Sequence, residues 1–209
     1  PAYDSAPFLY YAQSGDMLSA VANRFGVEES EITSDADLTK TTLIDPGTLL
    51  VIPNRITEAT TPNIQIMPDA EIIFSSTAAD FDVEEYTKKA GGYLSTFKDY
   101  LGSTGSIAGY DAIDRLAIEN SINPRLILGL LEYEGRWVRG QQPIDILHTD
   151  YPMGFNDFHF KGMTVQMVWA INTMSIAYYG WRAGTITHLE FSDGTSLRID
   201  PRLNAGTVA

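Results

Sequence analysis

Hydrophobic and polar positions change their spacing along the chain, and these changes divide it into segments. In the first segment a short apolar strand leads through a glycine turn into a helix that ends at Gly26. The apolar face of this helix has helical spacing and consists of Leu18, Val21, Ala22 and Phe25. A weaker helix is predicted over 28–36, and a strand closes the segment over 49–53 after a Pro-Gly turn. We therefore predict a small βααβ unit over residues 8–54.

The next segment, residues 55–80, lacks a sustained periodicity. It is rich in Thr, Pro, Asn and Asp and contains two short pieces of extended character, "NIQIM" and "EIIF". We expect a linker that packs as an arm along the following domain.

From residue 81 onward the spacing is mainly helical. The apolar stripes that predict helices lie at about 93–101, 113–117, 123–137 and 161–179. The last of these is apolar nearly all round, which predicts a central buried helix. Alternating residues on both sides of Asp193-Gly194 predict a β-hairpin. The pattern predicts an α+β protein in which a mainly helical domain covers residues 81–209.

Composition and charge exclude several classes of binding partner and of catalytic chemistry. The 209 residues carry a formal net charge of −13 with only 14 Lys and Arg, so nucleic acid is an unfavourable partner. Cysteine is absent, which excludes disulfides, thiolate catalysis and Cys-ligated zinc. No apolar run approaches the roughly 20 residues of a membrane-spanning helix. The chain starts at Pro1 and ends in "LNAGTVA", and we expect it to be a processed product or a fragment.

Several motifs of the first unit resemble a known family. The order "SGDML", "RFGV" and "DPGTLLVIP" is similar to the LysM domain, a βααβ module that binds glycans containing N-acetylglucosamine. The resemblance implies a shallow sugar groove between two loops, lined by Gly15, Asp16, Met17 and Leu18 on one side and by Ile44, Asp45, Pro46 and Gly47 on the other. The alternative is that these glycines only form turns and that the module is a spacer.

The helix predicted over "NPRLILGLLEYEGRW" carries two glutamates, Glu132 and Glu134. At about 100° per residue, Glu134 falls in an apolar sector, whereas Glu132 lies roughly 160° away from it. We expect Glu134 to face the core or a cleft, where burial favours the protonated carboxyl that general acid catalysis requires. The alternative is a buried glutamate that pairs with an arginine such as Arg136, Arg139 or Arg182.

The same run resembles the catalytic helix of lytic transglycosylases and goose-type lysozymes. The resemblance assigns the role of catalytic acid to Glu134, and it extends to "KGMTVQMVWA" and to "LNAG" near the C-terminus. The chain departs from that pattern because Gly135 replaces a serine, Leu203 replaces a tyrosine, and Gly162 and Gln166 are spaced one residue too far apart. The whole second part also looks like the region that precedes a peptidase domain in secreted wall proteins.

Other residues are weaker site candidates. A substrate cleft could include Gln166, Tyr179, Trp181 and Asn204. A second carboxylate could come from Asp145, Asp150 or Asp157, although solvated loop charge explains these residues better. The three histidines are scattered without an i, i+4 pair, and we expect surface roles for them, no metal and no cofactor.

Two functions remain open at this point. In the first, the protein binds peptidoglycan or a chitin-like glycan through the LysM module, and Glu134 cleaves β-1,4 glycosidic bonds next to N-acetylmuramic acid. In the second, it is a non-catalytic wall-binding or assembly protein on a degenerate lysozyme-like scaffold. Both predict a secreted or cell-envelope protein, and the sequence leaves the glycan, the enzymatic activity and the oligomeric state open.

Overall fold

The computed structural model describes residues 6–38, 43–102 and 104–209. The helices are α1 (Leu18–Phe25), α2 (Asp69–Ile72), α3 (Ser76–Ala79), α4 (Val83–Ala90), α5 (Gly109–Glu119), α6 (Pro124–Gly135), α7 (Ile146–Asp150), α8 (Met163–Arg182) and α9 (Ala205–Val208). The strands are β1 (Phe8–Tyr11), β2 (Leu49–Ile52), β3 (Lys98–Leu101), β4 (Gly105–Ala108), β5 (His188–Glu190) and β6 (Ser196–Arg198). The fold is therefore α+β, as predicted.

The chain divides into two compact units, one of which consists of two separate stretches of the sequence. The first unit combines residues 1–68 with 175–209, and the second consists of residues 69–174. The predicted linker 55–80 is thus shared between the units. The domain boundaries at 54 and 80 stay predictions.

The first unit is built around an antiparallel pair of strands and one helix. β1 pairs with β2, with Tyr10 opposite Leu50. Helix α1 ends at Gly26 in the left-handed conformation, as the sequence predicts. The hydrophobic core around these strands and this helix consists of Tyr10, Ala12, Val21, Ala22, Phe25, Ile32, Ile44, Leu50 and Ile52.

The helix predicted over 28–36 is wrong. Only a 3₁₀ turn at Glu29–Glu31 forms, after which Ile32 is extended. The chain then pairs with β2, because the Thr33 N–H donates to Val51 O and the Val51 N–H donates to Thr33 O, over 3.1 and 2.8 Å. Strand pairing therefore outweighs a weak helical propensity here.

Residues 55–68 pack along the C-terminal part of the first unit. Thr61 N–H donates to Arg198 O over 2.9 Å, and Asn204 Nδ2 donates to Met67 O over 2.7 Å. The first half of the piece "EIIF" is helical because it lies in α2, whereas Ile73 forms an isolated antiparallel bridge with Ile122. These contacts make the segment an ordered arm.

In the second unit, the helix predicted at 93–101 is replaced by other structure. A 3₁₀ turn occupies Tyr93–Ser95, and β3 then pairs with β4 in a hairpin. Exposed and half-buried residues alternate along β3, which is the pattern of a strand. The apolar residues of this run do not alternate, since the half-buried positions of β3 are Asp99 and Leu101, and the following glycine-rich turn favours the hairpin.

The other elements of this region follow the predictions more closely. α5, α6, α8 and the β5–β6 hairpin form where the spacing predicts them. The prediction that α8 is a central buried helix fails along part of its surface, since Val165 and Ile176 are exposed. Among the described residues, the longest apolar helices fall short of what a bilayer crossing requires.

Candidate functional site

The two loops that the LysM resemblance implicates lie side by side in the first unit. The Ile44 N–H donates to Asp16 O over 2.8 Å, and Met17 forms an antiparallel bridge with Leu43. Gly15 and Gly47 have φ values of 82° and 85°, which favour glycine. The structure thus brings the two predicted groups of residues together.

The outer surface of these loops is partly polar and partly apolar. Asp45, Pro46 and Gly47 are exposed, whereas Met17 and Leu18 are half-buried. Leu43 is 56% exposed next to Met17 and was not among the predicted site residues. Its signal in the sequence was weak, because a leucine directly before Ile44 resembles an ordinary core position.

Asp16 and Ile44, which were predicted to line the groove, are directed into the protein instead. Ile44 is only 5% exposed and belongs to the core. The Asp16 carboxylate accepts hydrogen bonds from Tyr10 Oη, the Gln13 N–H and Arg24 Nη2 over 2.6, 2.7 and 2.6 Å. The Asp16 carboxylate therefore stabilises the loop from beneath and is not placed to contact a sugar.

Tyr10, Asp16 and Arg24 form a buried polar cluster under the first loop. Arg24 is 2% exposed, and its guanidinium carbon lies 5.4 Å from the ring centre of Trp181. Burial raises the pKa of the Tyr10 phenol well above its ordinary value of 10.0, and the Asp16 carboxylate acts in the same direction while Arg24 opposes it. The phenol is thus held neutral as a donor to Asp16.

The helix α8 places a second arginine beside the same loop. A Cβ atom built on Gly15 would lie 1.5 Å from Arg182 Nη2, so the guanidinium rests directly against the glycine. Arg182 Nη1 also donates to Tyr178 Oη over 3.4 Å. This positive charge at the edge of the loop was not predicted.

In the second unit, Glu134 is exposed, so the prediction that it faces the core is wrong. The buried face of α6 consists of Pro124, Ile127, Leu128, Leu131 and Gly135. At about 100° per residue, Glu132 and Glu134 lie on opposite sides of the centre of this face, each roughly 80° from it. The predicted apolar sector was centred too close to Glu134 because it left out Leu128 and Gly135.

Glu134 borders an open groove of about 410 Å³ whose other lining residues include Asp145 and His148. His148 Nδ1 lies 2.7 Å from Asp145 Oδ1, and both side chains are more than half exposed. The hydrogen bonds that His148 makes with Asp145 lower the pKa of the Asp145 carboxyl, the bond from the His148 backbone N–H most of all. The groove is therefore polar and solvated, unlike the apolar cleft that was predicted.

Glu132, which was predicted to lie away from the apolar sector, either in solvent or at a secondary interface, is half-buried. Its Oε2 accepts the N–H groups of Val138 and Arg139 over 3.0 and 2.9 Å, and in this way it closes the C-terminal end of α6. Glu132 therefore stabilises the fold, a role that the sequence did not predict.

The residues that depart from the lysozyme-like pattern have structural explanations. A Cβ atom on Gly135 would lie 2.7 Å from Trp137 Cδ1 and 3.1 Å from Pro152 O, so a serine does not fit there. Gln166 is fully buried and bonds only with backbone atoms: its Nε2 donates to Phe155 O and Phe160 O, and its Oε1 accepts the Met153 N–H. Gln166 therefore holds the loop after α7 and is inaccessible to a substrate.

The remaining predicted cleft residues lie in the first unit and differ in exposure. Trp181 is 1% exposed and donates from Nε1 to Leu203 O over 3.0 Å. Asn204 is 7% exposed and bonds to the backbone of Met67. Both are therefore structural residues, and only Tyr179, which is 55% exposed, can contact a ligand from the surface.

Each histidine lies next to a carboxylate: His148 next to Asp145, His159 next to Asp157 and His188 next to Glu58. His148 and His159 are exposed, as predicted. Across residues 6–38, 43–102 and 104–209, no group of three or more His, Cys, Asp or Glu side chains is arranged to hold a metal ion.

Two protein families match the chain. The LysM domain matches residues 10–53, which agrees with the predicted resemblance, and the family described as "LasA, N-terminal domain" matches residues 65–209. The second match does not identify a lysozyme-like domain, so that resemblance is not confirmed. No curated protein and no solved structure matches the chain significantly. Because the second match covers more than half of the chain, the protein belongs to the LasA N-terminal domain family and carries a LysM domain in front of it.

Proposed function

We propose that this protein binds peptidoglycan or a chitin-like glycan through the groove between loops 15–18 and 43–47. The observation that carries the proposal is the direct pairing of these loops within a LysM domain, through the Ile44–Asp16 hydrogen bond and the Met17–Leu43 bridge. The two loops were implicated independently by the sequence motifs.

The surface of the groove suits an N-acetylated sugar. Backbone groups around Gly47 are open to approach, because a Cβ atom there would have no neighbour within 4 Å, and they can bond to acetamido and hydroxyl groups. At Gly15 the adjacent Arg182 guanidinium can supply donors to the same groups. Met17 and Leu43 offer apolar surface to the face of the sugar ring. Asp45 and Pro46 form the exposed rim on the other side.

The buried cluster below the groove supports binding without touching the sugar. Asp16 joins β1, the first loop and α1 through its bonds to Tyr10, Gln13 and Arg24. A loop that is fixed before the ligand arrives loses less conformational entropy on binding. We therefore assign Asp16 to preorganisation of the site.

We further propose that glycan binding does not require bond cleavage at Glu134. A general acid at neutral pH needs a shielded carboxyl, but Glu134 is exposed beside a polar groove. Gln166, the nearest match to a supporting polar residue of the lysozyme pattern, is occupied by the backbone. These observations favour a non-catalytic wall-binding protein of the secreted or cell-envelope class.

Binding is tested with Leu43→Asp, and Leu9→Asp is the matched control. Both leucines are exposed, at 56% and 63%, and both belong to the first unit, but Leu9 lies on β1 away from the two loops. In sedimentation with insoluble peptidoglycan, the full chain and Leu9→Asp should bind equally, whereas Leu43→Asp should lose at least about tenfold in affinity. Equal binding by all three proteins would contradict the proposed groove.

Cleavage is tested separately by the release of soluble muropeptides. The full chain and Glu134→Gln should release the same background amount from purified cell wall. Release by the full chain that disappears in Glu134→Gln would establish Glu134 as a catalytic acid and overturn the second proposal while leaving the binding proposal intact.

A further inference from the structure

The second unit contains another groove, on the face of α6 that points away from Glu134. It has a volume of about 410 Å³ and follows one helical stripe, Arg125, Leu128, Gly129 and Glu132. Phe81 and Tyr86 form one wall, with ring centres 5.3 Å apart. The volume lies in the range of small-ligand pockets.

Gly129 is the unusual residue of this groove. A glycine in the interior of a helix is unfavourable relative to alanine, because it loses more backbone freedom on folding. Its backbone is helical, and a Cβ atom placed on it would have no other atom within 4 Å. Internal packing therefore does not explain the glycine, whereas a ligand that approaches the helix backbone would explain it.

Two guanidinium groups are fixed on the aromatic wall. The Arg125 guanidinium carbon lies 4.6 Å from the ring centre of Phe81, and Arg139 Nη2 donates to Tyr86 Oη over 3.3 Å. The hydrogen bond to Tyr86 is also the main cause of a raised pKa for Arg139. Since a guanidinium has five N–H donors, each arginine can still donate to a ligand.

The floor of the groove and the Glu132 carboxylate, which lies next to Arg139, add two further properties. Leu128 and Val138 are almost fully buried beneath it and give it an apolar floor. The Glu132 carboxylate accepts two backbone N–H groups through one oxygen and has capacity for further donors. The groove thus combines cationic, apolar and hydrogen-bond-accepting surface within a small volume.

We propose that this groove binds the C-terminal end of a short peptide with small apolar side chains. The carboxylate bonds to Arg125 and Arg139, the side chains lie over Leu128 and Val138, and the peptide backbone passes over Gly129. A peptide N–H donates to Glu132, a bond that a simple aliphatic carboxylate cannot make. In a protein with a formal net charge of −13, two arginines on one wall are a local exception that suits an anionic ligand.

The experiment is a calorimetric titration of the full chain with N-acetyl-Ala-Ala-Ala as the free acid, with its C-terminal amide, and with hexanoate. The free acid should bind, and the amide and hexanoate should each bind at least about tenfold more weakly. Equal binding of the amide would overturn the role of the arginines. Equal binding of hexanoate would overturn the assignment to a peptide.

Gly129→Ala separates a ligand site from a structural position. The added methyl group enters the groove, so peptide affinity should fall at least tenfold, while the thermal midpoint should rise by about 2–4 °C because alanine favours the helix. A variant that keeps the affinity, or that is destabilised, would contradict the proposal. The test uses isolated peptide and is therefore independent of glycan binding by the LysM domain.

Arg125→Ala and Arg115→Ala complete the test. Arg125 lines the groove, whereas Arg115 is an exposed arginine on α5 that pairs with Glu119 outside it. Peptide affinity should fall at least tenfold in the first variant and stay unchanged in the second. An equal effect of both substitutions would show a non-specific charge effect and overturn the proposed site.

Discussion

Replacing Asp16 with asparagine tests whether this residue stabilises the fold or contacts the glycan. Asp16 is 5% exposed, and its carboxylate pairs with Arg24, which is 2% exposed. Asparagine has nearly the same shape as aspartate but carries no charge. Its NH₂ group would replace a carboxylate oxygen that accepts hydrogen bonds, so two donors would face each other. The substitution therefore leaves the buried Arg24 cation without a counter-charge.

The expected loss is large because the charge lies in the core. Removal of one partner from a buried ion pair costs about 3–5 kcal/mol. With a urea dependence of about 2 kcal/mol per molar, the unfolding midpoint should fall by roughly 2 M. An exposed ion pair, by comparison, contributes only about 0–1 kcal/mol.

The assay is urea unfolding of the full chain followed by circular dichroism, with Asp45→Asn as the control. Asp45 lies on the opposite loop and is exposed, so its replacement should change the free energy of unfolding by less than about 0.5 kcal/mol. If Asp16→Asn were as stable as the control but had lost glycan binding, Asp16 would be a sugar ligand and the structural assignment would be refuted.

Three other predictions follow from buried contacts. Gly135→Ala should lower the free energy of unfolding by about 1–3 kcal/mol in urea titrations, because the new Cβ meets the fully buried Trp137 ring; an unchanged stability would mean that the ring moves freely. Gln166→Leu should cost about 2–4 kcal/mol in the same assay, because the buried Met153 N–H and two partly buried carbonyl groups lose their partner, and a smaller loss would show that water replaces the amide. Tyr10→Phe should lower the free energy of unfolding by about 1 kcal/mol near neutral pH. This difference from the wild type should shrink as the pH rises above about 10. Because the pKa of Tyr10 is raised in the folded state, the tyrosine ionises first in the unfolded chain, and the wild type then loses stability. Urea midpoints measured at about pH 8 and pH 11 that differ by the same amount would contradict this last prediction.

The sequence predicted that the loops around Gly15 and Gly47 lie together, but not the role of each residue in them. Turn residues such as Gly15 and Gly47 mark the loops because their conformation favours glycine. Whether Asp16 points outward depends on Arg24, eight residues further along, and on Tyr10. A pairing that depends on tertiary packing leaves no periodic signal, which is why the inward orientation of Asp16 was missed.

The same limit applied to α6. Its bounds were predictable, because Asn123 caps the first turn and Pro124 suits the first helical position. The orientation of its buried face was not, because Gly135 looks neutral in a hydrophobic pattern although it packs against Trp137. The predicted centre of the buried face differed from the observed centre by less than one quarter-turn of the helix. This difference was enough to place the exposed Glu134 in the predicted core.

Nuclear magnetic resonance can show residue by residue whether glycan binds between loops 15–18 and 43–47. The full, isotope-labelled chain is titrated with an N-acetylglucosamine oligomer. The largest amide shifts should fall on Gly15, Met17, Leu43 and Gly47, with little change around Glu134. Shifts that cluster around Glu134 while both loops stay unchanged would contradict binding between the loops.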